Sequence, residues 1–211
     1  MDAKRRRLQY IALSCMLLLL VGTFLSFFIA PRIADAQARK KYGLSDDAFV
    51  TDTARSPWVY IDEAGQITLY GDKMVGMTTL RIPNAVNGIA SVKLGFILSD
   101  CRSIQTVIIP RTVVAKDFVN WRLRDFSALE TLVLEEGVTD LSGCSTGSLA
   151  ALRAIYIPRS AQSIPSALIK EGAAVTVYYA GTEEEWLALG KGAEAILARY
   201  TVVFETEFSA Q

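Results

Sequence analysis

The chain has 211 residues, 51% of them apolar, and its 22 basic and 22 acidic residues give a formal net charge of zero. It contains no histidine, which removes the commonest general base and metal ligand, and its three cysteines lack a zinc-binding spacing. We therefore expect no catalytic site, no metal and no cofactor, which leaves binding and structural functions.

An uncharged apolar run, residues 11–30, follows a basic N-terminal tail, residues 1–10. Twelve of its twenty residues are Leu, Ile, Val or Phe, which is enough to cross a bilayer core about 30 Å thick. The run is longer than the apolar part of a typical secretory signal, which favours a retained transmembrane signal-anchor and a single-pass protein of the cell membrane. The alternative is secretion after cleavage near Ala36, because Ala34-Asp35-Ala36 has the small-x-small form of a signal-peptidase site.

The charges are divided unevenly along the chain. Residues 1–41 have a net charge of +6 and residues 42–211 one of −6. An acidic domain repels phosphate backbones, so we do not expect nucleic acid as a partner, whereas the basic flanks of residues 11–30 suit anionic lipids. Four basic residues stand closely on each side of the run, so charge does not fix its orientation. We expect the domain outside the cytoplasm, with the cytoplasmic side as the alternative.

The run is followed by a polar segment and then by a hairpin signal. Residues 31–56 are mixed and polar, which predicts a linker or a membrane-proximal helix before a domain of residues 57–211. Two alternating stretches, 58–61 and 66–70, flank a turn that ends at Gly65. This pattern predicts a β-hairpin that caps the first of the repeats described next.

One aliphatic pattern recurs through residues 77–177. Each copy has an apolar residue, a second one three positions later, and a third two positions after that. The second position holds Leu80, Val107, Leu132, Ile155 and, in a weaker fifth copy, Val175. The third position holds Ile82, Ile109, Leu134, Ile157 and Val177, in steps of 27, 25, 23 and 20 residues. A period of this length is typical of a solenoid, in which each copy covers the core of its neighbour.

Within a copy, the second and third positions have the spacing of a strand, so both side chains face the core. A proline ends three of these strands, because proline cannot donate to a sheet ladder. The segments between the strands carry further apolar residues, such as Phe118 and Trp121, and are expected to return beneath the sheet as turns or short helices. After Val177, Thr182 and Glu185 predict a capping box, a helix from Glu183 and a closing strand at 201–204.

The repeated units, the return segment NGIASVKLGF from Asn87 and the closing VYYAGTEEEWLAL from Val177 resemble the BspA-like leucine-rich repeat family. The resemblance covers residues 67–204. It implies an α/β-type leucine-rich repeat solenoid with a short parallel sheet, irregular or short-helical return legs, the hairpin cap and a helix-plus-strand cap. It also implies export to a bacterial surface and adhesion to proteins or cells. The third copy departs from the pattern, with Glu135-Glu136-Gly137 where other copies have proline.

The outward face of the predicted sheet is the candidate binding surface. Strand alternation puts Arg81, Ile108, Val133, Tyr156 and Thr176 in one outward row. Branched residues also stack well in a parallel ladder, so the row has a purely structural interpretation as well. As an apolar stripe edged by Arg81, it suits a protein partner. No small-molecule substrate is evident.

The predicted function is that of a membrane-tethered, non-catalytic protein-binding or adhesion module. The alternative is a structural or regulatory subunit that docks another envelope protein. Cys101 and Cys144 both lie in aliphatic surroundings, where a buried thiol behaves as a small apolar side chain. A disulfide between them is the less favoured interpretation, because spacing does not show that the two sulfurs meet.

Overall fold

The computed structural model describes residues 3–98, 101–113, 126–142, 144–147 and 149–208. It begins with helix α1 (Ala3–Phe24), a π-helical turn (Leu25–Ile29) and helix α2 (Ala30–Tyr42). Among these described residues, no helix combines the length and the apolar character needed to cross a bilayer. This finding corrects the predicted transmembrane signal-anchor and the single-pass location in the cell membrane. The predicted run of residues 11–30 is divided here, because a π-helical turn with its wider hydrogen-bond ring follows α1 at Leu25.

The segment predicted as a linker is folded onto the rest of the chain. Helix α2 ends at Gly43, whose left-handed φ of 59° suits a residue without Cβ. Strand β1 (Val50–Thr51) follows. A small apolar cluster joins α2 and β1 to the domain; its buried members are Ala38, Leu44, Ala48, Val50 and Ala85.

Polar contacts fix the same segment. Arg39 of α2 donates to the carbonyl oxygens of Ser45, Asp46 and Ala48, at 2.5, 3.1 and 2.8 Å. Arg55 pairs with Asp35 at 3.0 Å and so ties α2 to the chain that follows β1. The Arg39 guanidinium group therefore satisfies three backbone carbonyls of residues 45–48.

Two small mixed sheets come next. Strands β2 (Val59–Ile61) and β3 (Gln66–Tyr70) form an antiparallel hairpin around Gly65, followed by a 3₁₀ turn (Gly71–Lys73) and strand β4 (Thr79–Arg81). Strands β5 (Ala85–Val86), β6 (Ile89–Ala90) and β7 (Lys93–Leu98) complete this region. Strand β5 pairs parallel with β1 and antiparallel with β6, whereas β7 pairs parallel with β3.

The remaining strands build an all-parallel sheet with β4. They are β8 (Thr106–Ile109), β9 (Thr131–Leu134), β10 (Ala154–Ile157), β11 (Thr176–Tyr179) and β12 (Thr201–Val203). Six strands of the described chain pair in the order β12-β11-β10-β9-β8-β4, so their order across the sheet follows their order along the chain. Helices α3 (Glu183–Ala188) and α4 (Lys191–Leu197) connect β11 to β12.

The register follows the aliphatic pattern in four of these strands. Leu80 pairs with Val107, Val107 with Leu132, and Leu132 with Ile155. These four side chains are fully buried in one cluster. In β11, Ile155 pairs with Val177 and Ile157 with Tyr179, so the fifth copy is shifted by two residues from the predicted alignment.

The predicted leucine-rich repeat solenoid is nevertheless wrong. The described residues form one six-stranded parallel sheet and two separate three-stranded mixed sheets instead of a stack of equivalent coils. The reason lies between β4 and β8, where the predicted return leg forms strands that pair with β1 and β3 rather than a turn or short helix. The predicted hairpin belongs to one of these smaller sheets. The second return leg, with Phe118 and Trp121, lies outside the described residues.

The C-terminal connection closes the core. Thr182 and Glu185 form a capping box at the start of α3, with the Glu185 amide donating to Thr182 Oγ1 at 3.3 Å. Trp186 is fully buried, and its indole N–H donates to the Ala193 carbonyl at 2.9 Å. Cys101 and Cys144 are buried and form no disulfide.

Candidate binding groove

The structure brings together four of the five residues of the predicted outward row. Arg81 is paired with Ile108, Ile108 with Val133, and Val133 with Tyr156. The next residue of this row is Tyr178, because Tyr156 pairs with Tyr178 and Thr176 pairs with Ala154. Thr176 therefore lies two residues away along β11, and Tyr178 takes its predicted place.

The row is the floor of a groove rather than an open stripe. Ile108 and Val133 are only 5% and 4% exposed. The cavity has a volume of about 720 Å³ and is lined near Arg81 by Ser45, Asp47 and Ala48 and near Tyr156 by Thr206, Glu207 and Phe208. The expectation of an exposed apolar stripe is wrong, since segments from both ends of the chain approach the same face of the sheet.

Two arginines hydrogen-bond to the backbone at the N-terminal wall of the groove, which is the segment around residues 45–48. Arg81 Nη2 donates to the Asp47 carbonyl at 3.1 Å, and Arg111 Nη2 donates to the Gly43 carbonyl at 3.0 Å. A hydrogen bond from Ser45 is the main reason that the pKa of the Asp47 carboxyl lies below its ordinary value, and the nearby Arg81 and Arg111 act in the same direction. Asp47 is therefore a carboxylate at neutral pH.

Aromatic rings meet at the C-terminal wall of the groove, which is formed by residues 206–208. The backbone amides of Glu205 and Thr206 donate to the carbonyls of Gly181 and Tyr179, at 3.0 and 3.2 Å, and turn the chain back over the sheet. Phe208 then meets the Tyr156 ring edge-on, with 5.1 Å between centroids. Tyr156 also stacks on Tyr178 at 4.5 Å. Burial among these rings raises the pKa of the Tyr156 hydroxyl.

Charged groups stand at the ends of the strands. Arg81 Nε donates to Glu135 Oε1 at 2.7 Å, so the floor contains one internal ion pair. Glu136 and Gly137 follow, and the φ of 95° at Gly137 is one that residues with a Cβ rarely adopt. A Cβ at Gly137 would also lie 2.8 Å from Arg111 Cδ, so this glycine lets the Arg111 side chain pass.

The groove lining combines polar, charged and apolar side chains. Its lining has hydroxyls, carboxylates, two arginines and apolar side chains. Within the described part of the chain, no group of three or more His, Cys, Asp or Glu residues could hold a metal ion. The arrangement suits recognition by apolar contact, hydrogen bonds and charge.

Sequence reasoning missed several lining residues, namely Asp47, Arg111, Glu135, Glu136, Glu207 and Phe208. One signal was present for part of this set. The third copy replaces the strand-ending proline by Glu135-Glu136-Gly137, which places two carboxylates where the other copies have an apolar turn. Nothing in the spacing of Asp47 or Phe208 indicates that either would reach this face.

Comparison with family models, with curated proteins and with solved structures finds no match to this chain. The resemblance to BspA-like leucine-rich repeats therefore stays a prediction.

Proposed function

We propose that this chain is a non-catalytic protein-binding module that holds an extended segment of a partner protein in the groove. The observation that carries the proposal is the apolar floor of Ile108 and Val133 between two walls, with Tyr156 at one end. Burial of an apolar side chain against such a floor supplies affinity, and polar groups around it supply orientation.

The dimensions of the floor suit a peptide. Neighbouring strands of a sheet lie about 4.8 Å apart, so the row from Arg81 to Tyr156 is about 14 Å long. An extended chain rises about 3.3 Å per residue, so the row matches about four residues. A segment lying across the strands would meet Arg81, two aliphatic side chains and an aromatic ring in turn.

Tyr156 is the residue whose loss should weaken binding most. Aromatic side chains that anchor an interface often weaken binding by about 2 kcal/mol or more when truncated to alanine. We therefore expect Tyr156→Ala to reduce the affinity for groove-binding octapeptides by about 30-fold. The measurement is a fluorescence titration of the full chain with peptides selected from a positional-scanning library.

Tyr60→Ala is the matched control, because Tyr60 is 51% exposed on β2 and does not line the groove. This variant should bind the same peptides as the unaltered chain. Equal affinities for the Tyr156→Ala and Tyr60→Ala variants, with both shown to be folded by circular dichroism, would remove the groove as the binding site.

A further inference from the structure

The groove lining includes two glutamates that lie outside the Arg81–Glu135 ion pair. Glu136 and Glu207 are both exposed, and neither is in an ion pair among the described residues. Their negative charges face the same cavity, where a partner can reach them. Uncompensated charge at the edge of a binding surface selects partners of the opposite sign.

The positive charges nearby are already engaged. Arg81 pairs with Glu135, and Arg111 donates to the Gly43 carbonyl. A hydrogen bond with Glu185, its ion-pair partner, is the main reason that the pKa of the Arg159 guanidinium lies above its ordinary value, and the charge of Glu136 adds to this shift. The chain therefore leaves Glu136 and Glu207 available for a cation from outside.

An aromatic surface lies beside these carboxylates. Tyr156 and Phe208 line the same cavity as Glu136 and Glu207. A cation above an aromatic face is attracted by the negative charge of the ring face, and a guanidinium can make this contact while it still donates hydrogen bonds in its own plane. Carboxylates next to aromatic rings thus form a better receptor for arginine than for an aliphatic or acidic side chain.

We propose that the segment bound in the groove carries an arginine that is held by Glu136 and Glu207 and packs on the ring of Phe208, next to an apolar residue on the Ile108 and Val133 floor. This proposal rests on the proposed function and names the chemistry of the partner. It follows from the groove lining and from the engaged state of the neighbouring arginines.

The test compares three octapeptides that differ at one position, occupied by arginine, lysine or citrulline, in the best sequence from the library. Citrulline has nearly the shape of arginine without its charge. We expect the arginine peptide to bind the full chain at least about tenfold more tightly than the citrulline peptide, with lysine between them. Raising the ionic strength from about 0.1 to 1 M should shrink this difference, because the Debye length falls from about 10 to 3 Å.

The paired variants Glu136→Gln and Glu207→Gln, combined in one chain, should reduce the arginine preference to about twofold or less. Glu171→Gln with Glu194→Gln is the matched control, since both residues are exposed and neither lines the groove. The control should keep the full preference. The difference in arginine preference between the two double variants isolates the contribution of the Glu136 and Glu207 carboxylates.

Equal binding of the arginine and citrulline peptides by the unaltered chain would overturn the inference and leave the proposed function standing, provided that Tyr156→Ala still weakens both. An arginine preference that survives in the Glu136→Gln, Glu207→Gln chain would overturn it as well. If the Tyr156→Ala variant instead bound the peptides as tightly as the unaltered chain, the proposed function would be overturned.

Discussion

Replacing Trp186 by alanine is expected to lower the free energy of unfolding by about 3 to 5 kcal/mol. Trp186 is fully buried, packs edge-on against the Tyr179 ring at 5.2 Å, and donates its indole N–H to the Ala193 carbonyl. Alanine would leave a cavity between β11 and the two C-terminal helices and an unpaired carbonyl in it. Urea unfolding followed by circular dichroism measures the loss without relying on tryptophan fluorescence.

The neighbouring Leu187→Ala is the control for this substitution. Leu187 is in the same helix but is 42% exposed, so its truncation should cost less than about 1 kcal/mol. Trp186→Phe should lie between the two, because it keeps most of the ring packing and loses the hydrogen bond. Similar unfolding curves for Trp186→Ala and Leu187→Ala would contradict the closure of the core by Trp186.

Gly192→Ala is expected to be the other strongly destabilising change, by about 3 kcal/mol or more. A Cβ at this position would lie 1.7 Å from the Ile164 carbonyl oxygen and 3.1 Å from the Ser166 amide nitrogen. Both neighbours are backbone atoms, so α4 would have to move away from the loop that it packs against. Thermal unfolding of the full chain measures the effect.

Helix propensity alone predicts the opposite sign for Gly192→Ala. Alanine in place of glycine inside a helix ordinarily gains about 1 kcal/mol. Gly147→Ala is a suitable control, because the nearest atom to its added Cβ is Ser145 Oγ at 3.4 Å, and it should change stability by less than about 0.5 kcal/mol. A Gly192→Ala chain that is as stable as the unaltered one would show that α4 does not approach Ile164 so closely.

The strand register was predictable where side-chain size and spacing acted together. In β4, β8, β9 and β10 the second position is a branched aliphatic residue that pairs with its counterparts in the sheet. Val175, just before β11, continues the alternation with Val177 and Tyr179 of that strand, and a shift of two residues keeps every side chain on the same face. Alternation therefore could not separate Thr176 from Tyr178 as the member of the outward row.

The groove was not predictable in the same way. Its walls come from residues 45–48 and 206–208, which carry no repeat and lie far apart in sequence from each other. What brings the first of them into place is the set of hydrogen bonds from Arg39 to the carbonyls of that segment, and side chain-to-backbone contacts of this kind leave no periodic signal. The π-helical turn at Leu25–Ile29 was not predictable either, because the composition of residues 11–30 gave no sign of it.

The most direct measurement of the central claim is site-specific photo-crosslinking. A benzophenone-bearing phenylalanine replaces Tyr156 in one full-length chain and Tyr60 in another, and each is illuminated with the peptide that binds most tightly. The account predicts a covalent adduct from position 156 and none from position 60, because only Tyr156 lines the groove. Adducts of equal yield from both positions, or an adduct from position 60 alone, would contradict it.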